Sequence, residues 1–510
     1  MTRIIRLLTM VALVVVATTG AYASGAQQSG TAAVSGQPVP MRYVVPGTAP
    51  AELSIALDAV NAKLAADGLN LNVDVRYIGW DAWDQRTNLM LSTGEAFELF
   101  HVMENRIPTP TFAARGALTP LDDLLQTHAP ALLSLFSQDQ WDAVTVDGQT
   151  HSVPAIWRRV VGVGGIDGVI YARKDQLDKY NLPVPGTFDE FVDVALQLQK
   201  AVLNETGETW YVWEHEIYFS SAWLYRDMDT YPFYVQHSEE VLLIRDDGTV
   251  EPYYRTDEFR QAAAAHRRLY EAGVIHPDIL SLPSEARGQA VNQQGKFLFG
   301  AGTGGYGDVA NIRRLDPNVE MVDFVFNPDQ PFYVNLSVLN SNAVPATTNT
   351  PEAGLEFLNW LYSDKTNHDL FIYGIPGQHY EPVGFDRLDP VLSATGSALY
   401  AHPSWQIAWA PFLRFNVAAP EQQVQQFMSE LPDSATQAGV VLGFSFNSQP
   451  VNTEYTNILA ARQEVLFPIK WGVVDYDEYF PELDRRMRAA GIDRVVAEYQ
   501  RQLDAWRASR

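Results

Sequence analysis

Several loops of this chain place aromatic residues beside carboxylate, amide or guanidinium side chains. Such mixtures occur at residues 80–83 (WDAW), 104–106 (ENR), 157–159 (WRR) and 213–219 (WEHEIYF). One face of a pyranose ring consists of C–H bonds that pack on an indole or phenol, while its hydroxyl groups need polar partners around the rim. The mixtures therefore indicate a carbohydrate-binding site.

The candidate ligand contacts divide into aromatic residues that would stack on sugar rings and polar residues that would orient hydroxyl groups. Arginine side chains at 106, 158 and 159 leave open a uronate-containing oligosaccharide, because guanidinium groups pair well with carboxylates. Core packing is the alternative for every aromatic residue in the set. Trp405 and Trp409, which are four residues apart on a predicted helix, would also fit one packed stripe. The candidates are Trp80, Trp83, Glu104, Asn105, Arg106, Trp157, Trp223, Trp405 and Trp409.

A glycine-rich segment at residues 300–305 satisfies G-x-G-x-x-G, follows the strand-like residues 296–299 and precedes a predicted helix from Asp308. The motif is typical of a dinucleotide site when it opens the first βαβ unit of a domain, and a lone match elsewhere is a weak signal. The segment is therefore interpreted as a strand-to-helix loop, with an ordinary glycine-rich connection as the alternative. No cofactor is predicted.

The remaining polar residues form no recognisable catalytic or metal-binding motif. The histidines show no H-E-x-x-H spacing, and the alternation of Asp316, Asn318 and Glu320 lacks the glycine and distal glutamate of a calcium loop, so no metal is predicted. No G-x-S-x-G segment is present. A secreted glycoside hydrolase that uses two carboxylates stays open as the alternative, because its pair is defined by a distance that sequence does not give.

The elements that must position the first candidates follow a βαβαβ pattern. It comprises a short strand at residues 42–45, an amphipathic helix at 52–66, an alternating strand at 71–78, a helix at 82–91 and a buried strand at 97–102. Ligands of open α/β sheets bind beyond the carboxyl ends of the strands. The loops at 46–50, 79–83 and 103–108 are therefore expected to face the ligand.

The N-terminal region predicts export. Arg3 and Arg6 precede an apolar run at residues 7–17, and Ala21-Tyr22-Ala23 offers the small residues that a signal peptidase reads, so residues 1–23 are interpreted as a signal peptide and 24–40 as a flexible leader. A retained N-terminal anchor is the alternative. The chain has no cysteine, which excludes disulfides and a lipidated N-terminal cysteine. A soluble periplasmic protein is expected.

Charge and length narrow the class further. The chain carries 36 Lys+Arg against 61 Asp+Glu, a formal net charge of −25, and such an acidic surface lacks the basic footprint of a nucleic-acid-binding protein. Its 510 residues exceed the roughly 250–300 at which single cores stop growing. Two lobes are therefore expected.

The C-terminal stretch at residues 444–506 predicts two docked helices. Leu483, Met487 and Ala490 share one face of the first helix, and Gly491 stands where a helix end favours positive φ. The second helix carries one apolar stripe, and its charged residues fall on the opposite side. The stripe consists of Ile492, Val496, Tyr499, Leu503 and Trp506.

This stretch closely resembles the C-terminal region of large extracellular solute-binding proteins of ABC importers, the family 1-like branch similar to LplA-type lipoproteins. Further segments are similar to the same family over most of the chain. They are TVDGQTHSVP at 145–154, YARKDQLDKYNLPVPGTFDE at 171–190, LYEAGVIHPDI at 269–279 and YGIPGQHYE at 373–381.

The resemblance implies a periplasmic-binding-protein-like α/β fold of type II, in which two α/β lobes joined by hinge strands enclose a ligand cleft. The N-terminal lobe would comprise residues 41–168 with 333–385, and the C-terminal lobe 169–332 with 386–510, of which 440–508 form the family-specific region. A segment similar to maltodextrin-binding relatives adds Glu216 and Tyr218, although Ile217 replaces the family's proline. Tyr306, in the glycine-rich loop, would stack on a sugar.

The function implied is sugar transport rather than catalysis. A monomeric receptor would capture an oligosaccharide, close around it and deliver it to the transmembrane subunits of an ABC permease, breaking no bond in the ligand. A peptide or another organic solute is the alternative ligand.

Overall fold

The computed structural model describes residues 36–104, 107–157, 169–214, 222–236, 240–282, 290, 294–301, 312–313, 316–394, 396–419 and 436–509. The predicted signal peptide and most of the predicted leader lie outside these residues. So does most of the glycine-rich segment at 300–305.

The first part of the chain alternates strands and helices in the predicted order. In strand β2 the residues Leu71, Val73 and Val75 are buried and their neighbours are exposed, which is the period-2 pattern of a half-buried strand. Asp147 and Gly148 both have positive φ, as a primed hairpin turn requires. The elements are β1 (Val39–Pro46), α1 (Leu53–Ala66), β2 (Leu71–Ile78), α2 (Trp83–Thr93), β3 (Leu99–Met103), α3 (Thr109–Ala113), α4 (Asp122–His128), α5 (Gln138–Asp142), β4 (Thr145–Val146), β5 (Gln149–Thr150) and β6 (Ser152–Ala155).

The second part is again α/β. Its longest helix, at residues 188–206, begins where the side chain of Thr187 accepts a hydrogen bond from the backbone N–H of Glu190 and ends at the left-handed Gly207. The elements are β7 (Ile170–Arg173), α6 (Lys174–Lys179), α7 (Phe188–Thr206), β8 (Trp213–Glu214), α8 (Ala222–Tyr225), β9 (Phe233–Val235), β10 (Leu242–Arg245), β11 (Val250–Pro252), α9 (Asp257–Glu271), β12 (Phe299–Ala301), β13 (Met321–Phe324) and β14 (Phe332–Val334).

The third part returns to the first sheet and the fourth ends in a group of helices. The third comprises β15 (Asn340–Ala343), α10 (Pro351–Ser363), α11 (Lys365–Tyr373), β16 (Tyr380–Val383), β17 (Arg387–Pro390), α12 (Ser404–Ile407) and β18 (Phe415–Asn416). The fourth comprises β19 (Thr436–Ala438), α13 (Asn452–Val465), α14 (Phe467–Lys470), α15 (Tyr476–Ala490) and α16 (Ile492–Ala508).

Each lobe is built on its own sheet and its own apolar core. The first sheet has the order β2-β1-β3-β15-β6, in which β1 is parallel to β2 and β3 while β15 is antiparallel to β3 and β6. The second lobe contains the sheet β13-β7-β12-β8 and a smaller sheet β11-β10-β9. The predicted two-lobed α/β architecture is confirmed.

The C-terminal helices belong to the second lobe. Their buried side chains join its core, and the stripe of α16 runs through Val495, with Val496 and Trp506 only partly buried beside it. Leu483 and Met487 of α15 enter the same core. The apolar faces predicted from the 3.6-residue period therefore pack against the core of the second lobe.

One predicted lobe boundary differs from the structure. The segment that follows residue 385 was expected in the second lobe, but Ile407, Leu413 and Phe415 are buried in the first core. The Tyr362 hydroxyl on α10 also donates to the carbonyl of Ile407, at 2.7 Å. The chain therefore stays with the first lobe through β18, because these apolar residues cover the helices of that lobe.

Candidate ligand-binding site

Two tryptophans far apart in sequence form an aromatic surface on the first lobe. Trp80 lies on a 3₁₀ turn directly after β2, and Trp405 lies on the short helix α12. Their ring centroids are 5.8 Å apart with an angle of 23° between the ring planes, so the indoles stack. Trp80 is 45% exposed, which leaves much of its indole accessible to a ligand.

A buried polar network supports Trp405 and the helix that carries it. The edge of the His101 imidazole meets the indole of Trp405, with centroids 4.9 Å apart. His101 Nδ1 lies 3.0 Å from the carbonyl oxygen of Gln406, and Nε2 lies 3.1 Å from the side chain of Asn340 on β15. Gln406 in turn donates from its amide to the carbonyl of Pro46, at 2.8 Å. Helix α12 is thereby tied to the carboxyl end of β1.

The His101 ring contributes no charge to the site at neutral pH. Burial lowers its pKa to about 4, because the imidazolium form would lose its hydration inside the lobe. The imidazole that packs on Trp405 is therefore neutral.

A small cavity of about 10 Å³, room for about one water molecule, lies beside His101 at the carboxyl end of β3 and the first turns of α2, with a mixed polar and apolar lining. Asp84 and Asn88 contribute oxygen and amide groups to it, and Asn88 is oriented by a 2.8 Å hydrogen bond from its amide to the carbonyl of Asp84. Trp83 also lines this cavity, although it is only 4% exposed and packs in the apolar cluster beneath. The other lining residues are Thr87, His101, Val102, Met103, Ile107 and Phe112.

Glu104 lies at the same edge, but its carboxylate is directed into the lobe. It accepts hydrogen bonds from the backbone N–H of Thr109 at 2.8 Å, from the Thr109 hydroxyl and from the hydroxyl of Ser341 on β15. Desolvation raises its pKa to about 7 against the opposing effect of these donors. The Thr109 hydroxyl also contacts Ser152 of β6 at 2.8 Å. Glu104 therefore links the end of β3 to β15 directly and to β6 through the Thr109 hydroxyl.

Two other described candidates pack in the cores of the lobes. Trp409 packs against Phe136 and Tyr362 in the first core, with centroid distances of 5.5 and 6.3 Å. Trp223 is 3% exposed and packs on Phe191 in the core of the second lobe, 5.1 Å away. Trp157 is partly buried against the first core. The candidates outside the described residues are Asn105, Arg106, Glu216, Tyr218 and Tyr306, together with Arg158 and Arg159.

Sequence reasoning missed His101, Asp84 and Asn88. His101 lies within β3, two residues before the carboxyl end of that strand, and Asp84 and Asn88 lie one helical turn apart on the helix that follows Trp80. Their positions near the carboxyl ends of β2 and β3 could have indicated these residues. The spacing of four residues on α2 would have placed Asp84 and Asn88 on the same helix face.

Neither a metal-ligand cluster nor a membrane span is found in the described part of the chain. Within it, no group of three or more His, Cys, Asp or Glu side chains is arranged to hold a metal ion. Among its helices, none combines the length and hydropathy of a membrane span.

Two α/β lobes, connected by several chain crossings and carrying a polar-aromatic surface at the carboxyl end of the first sheet, define the class of two-lobed solute-binding receptors. The chain belongs to the bacterial extracellular solute-binding protein family, whose model matches residues 50–368. Residues 440–508 match a second model, described as a domain of unknown function, DUF3502. The resemblance proposed from the sequence is confirmed.

Similar proteins cover nearly the whole chain. A carbohydrate ABC transporter substrate-binding protein of Streptococcus pneumoniae serotype 4 is 23% identical over 481 residues, which cover 92% of this chain and 91% of the relative. The structure of the N-glycan transport solute-binding protein NgtS from S. pneumoniae in complex with Man1GlcNAc superposes with a TM-score of 0.71 at 18% identity, covering 91% of this chain and 99% of NgtS. An HMO-binding solute-binding protein from Bifidobacterium longum infantis ATCC 15697 gives 0.63 at 16%, covering 92% and 99%.

Proposed function

We propose that this protein is the exported receptor of an ABC importer and that it captures an oligosaccharide on the Trp80–Trp405 surface. The observation that carries the proposal is the stacked indole pair, exposed through Trp80 and adjoined by the polar side chains of Asp84 and Asn88. The names of its relatives support the same ligand class, since they describe binding of carbohydrate, N-glycan fragments and HMO.

The chemistry of the surface suits a sugar better than a charged solute. A pyranose ring placed on Trp80 would bury its C–H face against the indole, and its equatorial hydroxyl groups would reach amide and carboxylate oxygens at the rim. The nearby imidazole is neutral because burial lowers the pKa of His101 to about 4. A glycan on this surface therefore does not meet a buried positive charge at His101.

Binding itself would transmit the signal. Contacts made to both lobes only when they approach each other shift the population toward a closed form, and a permease in the membrane reads that form. The ligand leaves chemically unchanged, and the protein acts as a monomer in the periplasm after removal of residues 1–23.

The test is calorimetric titration of residues 24–510 with neutral and acidic oligosaccharides, including mannosyl and fructosyl glycans, and with peptides as controls. Trp80→Ala and Trp405→Ala are each expected to weaken glycan binding by about 10- to 100-fold, because loss of a stacked ring removes about 1.5–3 kcal/mol. Tyr479→Ala, a 44% exposed aromatic on α15, is the matched control and should leave the affinity unchanged.

Three results would contradict the proposal. Unchanged affinity in both tryptophan variants would show that the ligand does not bind on the Trp80–Trp405 surface. Tight binding of peptides alone would show that the ligand is a peptide and not a glycan. Reducing ends that accumulate with time would instead identify a glycoside hydrolase.

A further inference from the structure

The C-terminal region contacts the first lobe beside the small cavity on α2. The guanidinium of Arg115, which follows α3, donates from Nη2 to the side-chain oxygen of Asn452 at 2.9 Å. Asn452 is the first residue of α13, and that helix packs in the core of the second lobe through Ile458. The hydrogen bond therefore joins the two lobes.

The same guanidinium also contacts a residue that lines the small cavity. Arg115 Nη1 lies 3.4 Å from the side-chain oxygen of Asn88, a residue that lines the cavity on α2. A planar guanidinium presents several N–H groups in a fixed fork, so one side chain contacts both amides. Asn88, Arg115 and Asn452 thus form a chain from the cavity to the C-terminal region.

Both ends of this chain are held by packed structure. The turn that carries Arg115 is closed by hydrogen bonds from the backbone N–H groups of Arg115 and Ala117 to the carbonyl of Phe112, a buried residue that also lines the cavity. On the other side, Arg494 of α16 pairs with Glu454 in the first turn of α13. Each partner moves with its own lobe.

We propose that residues 440–508 supply the second lobe's half of an interlobe latch, in which Arg115 is the positioning residue. The latch forms only when the lobes approach as they do in this structure, so it stabilises that arrangement relative to a more open one. A ligand on the Trp80–Trp405 surface that contacts Asn88 would hold the residue that orients Arg115, which couples ligand binding to the C-terminal region. This regulatory role rests on the proposed binding function.

The distance between the lobes tests the latch without any ligand. The chain has no cysteine, so Asp58→Cys on α1 and Gln197→Cys on α7, both at exposed positions, give two unique sites for spin labels in residues 24–510. Pulsed electron paramagnetic resonance then reports the populations of short and long interlobe distances. Arg115→Ala and Asn452→Ala are each expected to lower the ratio of short to long distances by about two- to fivefold.

The double variant distinguishes a latch from two independent surface effects. It should lower the ratio no further than either single variant, because removing one partner already breaks the hydrogen bond. Arg76→Ala, which removes the same charge from a first-lobe arginine paired with Glu95, is the matched control and should leave the distances unchanged.

Two outcomes would overturn the latch: distances that Arg115→Ala does not alter, or effects of the two single variants that add in the double variant. Thermal unfolding of each variant should stay within about 0.5 kcal/mol of the parent, since both residues are exposed. Glycan titrations of the same proteins separate the two proposals. A latch that responds as expected in a protein that binds no glycan would leave the latch standing and remove the ligand assignment.

Discussion

The carboxyl group of Glu104 predicts a specific pH dependence of stability, which Glu104→Gln should remove. Burial raises its pKa from 4.5 to about 7 in the folded protein. Between those values the folded state holds one proton that the unfolded state has released, so the free energy of unfolding falls as pH rises. This contribution is complete below about pH 4.5 and lost above about pH 7.

The size of the effect follows from the difference between the two pKa values. A carboxyl pKa moved from 4.5 to about 7 corresponds to about 3 kcal/mol between the low-pH and high-pH limits. Although the carboxylate points into the lobe, Glu104 as a whole residue is half-buried, and this partial exposure reduces the expected change to about 1–3 kcal/mol. Glutamine has the shape of the protonated acid, and its amide would donate to the hydroxyl of Ser341 while its oxygen accepts from Thr109.

The assay is urea unfolding of parent and variant at pH 5, 6, 7 and 8, with the difference between the two proteins plotted against pH. Contributions of other titrating groups are shared and cancel in this difference. The E104Q variant should gain about 1–3 kcal/mol relative to the parent from pH 5 to pH 8. Glu381→Gln, at an exposed carboxylate on β16, should show no such gain. Parallel pH profiles of the parent and E104Q would refute the reasoning.

Three further substitutions test the packing of the second lobe. Gly472→Ala should lower the unfolding midpoint far more than Gly68→Ala. Both glycines have positive φ, but a Cβ at position 472 would lie 2.4 Å from backbone atoms of α9. A Cβ at position 68 would have no neighbouring heavy atom within 4 Å. Lys470→Met should destabilise by about 3–5 kcal/mol in calorimetry, because it breaks a 2.7 Å ion pair with Glu240 in which both side chains are 2% exposed. Trp223→Ala should destabilise by about 3–5 kcal/mol, yet the folded protein should keep its glycan affinity, and a selective loss of affinity would return Trp223 to the binding site.

The order of elements in the first lobe was predictable because the signals are local. The alternation in β2 and the apolar periodicity of the C-terminal helices extend over only a few residues, and each predicts an element that the structure contains. The position of Trp80 after a strand also predicted its place at the carboxyl end of the first sheet, while its contact with ligand stays a prediction.

The roles of the remaining candidates depended on contacts between distant parts of the chain. Trp405 and Trp409 are four residues apart, yet Trp405 stacks on Trp80 while Trp409 packs on Phe136. Helix α12 ends at Ile407, so the pair does not share one helical face, and their side chains take different directions. Nothing within that short segment distinguishes the two indoles.

The α/β class, the two-lobed size and the family were thus predictable without a structure, because composition, periodicity and short family-like segments are properties of consecutive residues. Which side chains come together in the candidate site depends instead on how distant parts of the chain pack. It brings Trp405 to Trp80 from a distant part of the chain, turns Glu104 toward Ser341 and places Asn452 beside Arg115. These contacts arise when separate apolar faces pack and carry their polar neighbours with them, and no local pattern records that outcome.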